Sequence, residues 1–302
     1  MHEETVYDAL SAAHDDVAHW AFGSGFDDPL AGVDTAIPDG VSAADLGEYC
    51  LMLGDDALVL GQRLTEWLTR SPELEEEVAF GNLALDLLGQ ARLLLARAAS
   101  VGVLGRSRER ATATIPDEDA LAFFRDPAEF RCTALVAAEA GDFAHTLVRL
   151  FVAATWRLAV FARLTASRDP VLAAIAGKGV AELSYHRDHA ARWVLRLGDG
   201  TAESHRRAQD AVDAIWPLTA DLCSPTDVEL RLRACGVGVD PREVEEELRE
   251  VLTQVLEQAT LRVPPWPEPV EPQGRLGRHG PEVAELVGTL QSLARRHPAA
   301  TW

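Results

Sequence analysis

Glu66, Asp86, Asp142, His145, Glu182 and His186 are the side chains of this chain whose types and spacing come nearest to holding a pair of metal ions. In a helical bundle, a carboxylate-bridged pair of iron or manganese ions takes a Glu from each of two helices and a Glu-x-x-His from each of the other two. Residues three apart project from one helix face, so one carboxylate and one imidazole reach the same ion. Against that recipe the set is incomplete. Glu66 suits one position, but Asp86 is followed by Gly89 and Gln90, neither of which replaces an imidazole. No histidine stands between His19 and His145. Asp142-Phe143-Ala144-His145 has the spacing with Asp in place of Glu, whereas Glu182 meets Tyr185 at that spacing and His186 only one residue later.

Each residue also has a plainer use. Asp142, after Gly141, suits a helix N-cap. The run Tyr185-His186-Arg187-Asp188-His189 reads first as a solvated or interface helix face, with a ligand cluster as the alternative. If Glu66, Asp86 and Glu182 point inward, they need hydrogen-bonded partners, and Lys178 stands one turn before Glu182. There is no G-x-S-x-G, no glycine-rich phosphate loop and no dinucleotide fingerprint. The residues therefore describe a defective dimetal site, with no catalytic residue and no metal assigned to this chain. A free-standing dimetal carboxylate oxidase or oxygenase with unusual ligands is the alternative.

The elements that must position this set read as helices. Ser42-Ala43-Ala44-Asp45 resembles a capping box, and apolar positions recur with helical spacing from Leu46 to Leu64. Ser71 as N-cap and Pro72 in the first turn, with Glu73, Glu75, Glu76 and Glu77 nearby, predict a second helix to about Ser100. The connector is so short that the two must form an antiparallel hairpin. Val101 to Ala140 reads as a long crossover. Gly141-Asp142 then starts a third helix to Leu164, and Asp169-Pro170 a fourth to Leu197 with Gly198 as its cap.

Two hairpins joined by one long crossover predict an all-α, ferritin-like four-helix bundle. Further helices are expected at Thr201 to Trp216, Asp240 to Leu261 (Asp240 and Glu243 spaced as a capping box) and Pro281 to Arg296, around the bundle. The prolines of Pro264-Pro265-Trp266-Pro267-Glu268-Pro269 impose an extended tether. Residues 1–41 read as an N-terminal extension, flexible in part, and 42–302 as one ferritin-like domain with C-terminal elaboration.

A net charge of -20 argues against nucleic acid as a partner and against anionic lipid. Arg149, Arg157 and Arg163 interrupt the longest apolar stretches, so no membrane span is expected. The acidic start lacks the features of an export signal, which places the protein in the cytoplasm. Cys50, Cys132, Cys223 and Cys235 form no C-x-x-C pair and read as reduced thiols. Leu83 to Leu95 and Leu147 to Leu164 are apolar around most of the helix, which predicts that a second chain, or a second copy, covers part of them.

Several segments together resemble the PaaC-type subunit family of the multicomponent phenylacetyl-coenzyme A epoxidase. They are Leu60-Gly61-Gln62-Arg63-Leu64-Thr65-Glu66-Trp67, Asn82-Leu83-Ala84-Leu85-Asp86-Leu87-Leu88-Gly89-Gln90-Ala91-Arg92, Gly141-Asp142-Phe143-Ala144-His145-Thr146, Trp193-Val194-Leu195-Arg196-Leu197-Gly198-Asp199-Gly200-Thr201 and the ending Pro298-Ala299-Ala300-Thr301-Trp302. The resemblance implies a ferritin-like structural subunit that has lost its own dimetal site and pairs with a di-iron catalytic subunit. It further implies a reductase carrying FAD and an iron-sulfur cluster that delivers electrons from NADPH, and contacts with the small subunit and reductase. Oxygen is then inserted into the aromatic ring as an epoxide. Where the family carries His-Thr-Glu-His, this chain has His279-Gly280-Pro281-Glu282.

Overall fold

Ser42 caps the first long helix, α1 (Ala43–Thr65), by accepting a hydrogen bond from the Asp45 amide at 3.3 Å. This is a computed structural model that describes residues 30, 32–112, 115–139 and 141–298. Most of the N-terminal extension and the last four residues of the family-like ending lie outside the described residues. The second helix, α2 (Leu74–Ser100), starts later than Ser71-Pro72 predicts. Ser71 Oγ donates to the Trp67 carbonyl at 2.9 Å, so that hydroxyl is spent on the end of α1, and Glu73 takes the N-cap position without a side-chain cap.

The crossover carries three short helices, α3 (Gly105–Arg110), α4 (Asp117–Phe123) and α5 (Ala134–Ala137). The second hairpin follows as α6 (Phe143–Leu164) and α7 (Pro170–Gly198). Asp142 caps α6 through the His145 amide at 3.0 Å, and Asp169 caps α7 through the Leu172 amide at 2.8 Å. Both caps satisfy amides that the first turn of a helix leaves without partners. Helix α1 packs along α2, α6 along α7, and α2 meets α7. Two hairpins and one long crossover make this the ferritin-like bundle, all-helical and without a strand among the described residues.

The C-terminal part contributes α8 (Ala202–Ile215), α9 (Thr219–Leu222), α10 (Asp227–Ala234), α11 (Glu245–Gln258) and α12 (Pro281–Arg296). The two short ones, α9 and α10, escape sequence reading because they are too brief to show a period. Asp240 bonds the Arg242 amide rather than that of Glu243, and Pro241–Val244 forms a tighter 3-10 turn, so the regular helix starts only at Glu245. The proline-rich strap is extended as expected. It is held by Trp216 Nε1 on the Pro265 carbonyl at 3.0 Å and Trp266 Nε1 on Glu245 at 2.9 Å, with the two indole rings edge to face.

Gly198 closes α7, but crowding rather than capping demands a glycine. A Cβ there would lie 2.2 Å from the Ala259 carbonyl oxygen, and Asp199 takes the cap position.

The expected second chain over α6 is not needed. Val148, Phe151 and Val152 face Val212 and Ile215 of α8 and Leu252 and Leu256 of α11, which cover the side of α6 turned away from the bundle. Helix α2 differs, because Leu74, Val78 and Leu85 on its outer side are 71%, 59% and 47% exposed. Among the described helices, α2 alone is long and apolar enough to cross a membrane by length and composition, yet Leu83, Leu87 and Leu94 are core residues.

Adjacent buried carboxylates on α1 tie the other layers down. Asp55 takes both Arg125 guanidinium nitrogens and the Arg131 amide at 2.7 Å, holding the crossover. Asp56 takes Arg275 at 2.7 Å and the Thr133 amide at 2.8 Å, holding the 3-10 turn Gly274–Leu276, which follows the strap, to the crossover. Arg275 also donates to the carbonyls of Met52 and Arg131, both at 2.8 Å. Burial works against its charge, but Asp56, Glu229 and Asp221 outweigh that and raise its pKa.

Candidate functional site

A ladder of polar side chains joins α2 to α7, the seam between the two hairpins. Its rungs are Glu76 with His189, Asp86 with His186, Gln90 with Glu182, and Arg97 with Asp169. The helices run antiparallel, so positions rising along α2 meet positions falling along α7. His186 is fully buried, with Nε2 3.0 Å from Asp86 Oδ2. His189 Nε2 lies 3.2 Å from Glu76 Oε2 without hydrogen-bond alignment. Burial pushes the His189 pKa down, and Glu76 opposes that. The Tyr185 to His189 run, expected to form a solvated or interface helix face, is thus divided between solvent and the α2 seam. Tyr185 and Asp188 of that run are exposed, whereas the two histidines turn toward α2.

At the Gln90 rung the ladder reaches the middle of the bundle. Arg157 of α6 donates from Nε to Gln90 Oε1 at 2.9 Å and from Nη1 to the Leu53 carbonyl of α1 at 3.0 Å. Gln90 Nε2 in turn donates to Glu182 Oε2 at 2.9 Å, and Lys178 stands 3.7 Å from the other oxygen. One side chain from each of α2, α6 and α7 and one carbonyl from α1 therefore meet in a single hydrogen-bonded chain. The Arg157 guanidinium lies 4.4 Å above the Phe161 ring. Gly179 leaves room for that ring, since a Cβ there would come within 2.7 Å of it. Burial lowers the Arg157 pKa to about 10, which leaves the group charged at neutral pH.

The six sequence candidates fall into two places. Asp86, Glu182 and His186 share the α2–α7 seam. Glu66, Asp142 and His145 lie at the α1 end and the α6 start. Glu66 pairs with Arg63 at 2.9 Å, and Asp142 is spent on capping. His145 lies beside Arg206, Arg207 and Asp210, its pKa lowered by burial and by Arg149, with Asp142 opposing. No group of three or more His, Cys, Asp or Glu able to hold a metal forms among the described residues. The donor chemistry does not fit a dimetal pair: the carboxylates are each tied to a protein partner, and the central position of α6 holds a cation.

Sequence reasoning missed Arg157 as a site residue and read it only as an interruption of an apolar stretch. The signal was available, because a lone arginine amid Phe151, Val152, Val160 and Phe161 must carry a buried charge. The Arg97–Asp169 pair, almost wholly buried, left no such mark.

Fold and site together define a ferritin-like helical bundle whose centre is built from protein hydrogen bonds and a guanidinium. Residues 34–302 match the phenylacetic acid catabolic protein family, and the chain belongs to it. It is similar to one of the subunits of the 1,2-phenylacetyl-CoA epoxidase of Escherichia coli (strain K12), with 38% identity over 257 residues that cover 85% of this chain and 99% of the relative.

Proposed function

We propose that this chain is the non-catalytic structural subunit of a bacterial multicomponent phenylacetyl-CoA epoxidase, working in the cytoplasm beside a di-iron catalytic subunit. The chain itself carries no cofactor. Iron belongs to the catalytic partner, and FAD with an iron-sulfur cluster to the reductase that draws electrons from NADPH. The carrying observation is the distribution of the six candidate ligands, which are split between two regions, with Glu66, Asp86, Glu182 and His186 each tied to a protein group and Asp142 spent on a cap. The likeness to a subunit of the Escherichia coli epoxidase supports the same reading.

The test joins two measurements. Elemental analysis of protein purified with ferrous iron present is expected to find no stoichiometric iron or manganese. Phenylacetyl-CoA, NADPH and reductase are expected to give product only after a catalytic subunit is added. Two tightly held metals per chain, with turnover by this chain and reductase alone, would establish the free-standing dimetal oxygenase instead.

A further inference from the structure

The geometry points to Arg157 as a resident cation: its guanidinium takes the place of a metal ion between the four helices and balances Glu182 through Gln90. This rests on the structural-subunit reading and supplies its physical cause. In a bundle centre without a metal ion, inward carboxylates that lack a cation are costly to bury. Here the cation is covalently part of α6. Arg157 Nε and Nη1 reach α2 and α1 directly, and Gln90 relays to Glu182 on α7 with its carbonyl toward the guanidinium and its amide toward the carboxylate.

That polarity fixes the amide of Gln90 in one orientation, since a flipped side chain would set NH2 against a guanidinium and oxygen against a carboxylate. It also accounts for the residue types. A carboxylate at position 90 would add negative charge and offer Glu182 no donor. Of the other carboxylates of the seam, Asp86 faces His186, Asp169 pairs with Arg97 and Glu76 stands beside His189. A divalent ion entering here would meet a fixed positive charge and an amide donor where it needs lone pairs, so the site excludes metal by charge as well as by missing ligands.

A double-substitution cycle tests the coupling. Arg157→Met is expected to lower the melting temperature by about 10 °C. Glu182→Gln made in that background should cost less than half of what it costs in the wild type, because the carboxylate it removes has already lost its buried cation and keeps only the half-exposed Lys178. Arg157→Lys keeps the charge and should lose only a few degrees. If Arg157→Met does not fold, the Lys variant still decides: a folded, nearly native Arg157→Lys supports the cation, and a loss equal to that of Arg157→Met overturns it.

Cobalt(II) alone supplies the second arm. The wild type should take up none, whereas Arg157→Met combined with Gln90→Glu should bind it and show visible absorption. Additive substitutions, or a folded double variant as indifferent to cobalt as the wild type, would overturn the proposal. Stoichiometric cobalt on the wild type would instead overturn the structural-subunit reading.

Discussion

His189 shows how burial of one side chain becomes a property of the whole fold. Its pKa is lowered by burial against the opposing Glu76, and His186 and Arg192 also face it unfavourably. The unfolded chain then takes up its proton at a higher pH than the folded chain, near the ordinary value of ~6.5. Stability is complete above that value and is lost as pH falls through the window down to the folded value. Asp221 and Glu229, whose pKa values burial raises, act with the opposite sign, so the contribution of His189 must be isolated by substitution. Urea midpoints measured from pH 7 to pH 5 are expected to fall less steeply in His189→Gln than in the wild type. An unchanged slope would show that His189 does not carry the effect. At this scale the sequence was legible where the chemistry is local. Ser42, Asp142 and Asp169 announce their caps because an N-cap bonds an amide within its own first turn. His186 and Arg157 were misread because their partners, Asp86 and Gln90, come from distant helices.

Among the elements, α2 has two apolar sides with different fates. Leu87 is fully buried against the core, whereas Leu85 stands 47% exposed on the outer side. Periodicity could not separate them, because the sequence from Leu83 to Leu95 is apolar nearly all round. Leu87→Ala is expected to destabilise the isolated chain by about 2–5 kcal/mol, through lost transfer energy and the cavity left behind. Leu85→Lys should change it by no more than about 0.5 kcal/mol, as an exposed position allows. Chemical denaturation of both variants checks the assignment, and comparable losses would show that the outer side of α2 is covered after all. Helix α6 gives the converse lesson. Its apolar surface was legible, but the cover came from α8 and α11, whose docking no local pattern reveals.

For the molecule as a whole, the outer side of α2 groups three exposed apolar side chains, Leu74, Val78 and Leu85, on one helix face among the described residues. Sedimentation velocity over a range of concentrations is expected to show self-association of the isolated chain, replaced by a heterologous complex when the catalytic subunit is added. A chain that stays monomeric under both conditions would contradict this. The bundle connectivity was readable because hairpin loops and caps are short-range signals, while the ionic ties at Asp55 and Asp56 were not, since Arg125 and Arg275 lie far along the chain.

Those ties have a consequence in time. As the chain leaves the ribosome, α1 emerges early, but the arginine that answers Asp56 arrives 219 residues later. Until then the nascent bundle holds an acid in its interior with only an amide and a hydroxyl for company. The native packing of α1 is therefore expected to be completed only near the end of synthesis, when the segment carrying Arg275 closes over it. A ribosome that stops short of that arginine releases a polypeptide containing every bundle helix and still lacking the group that lets them settle.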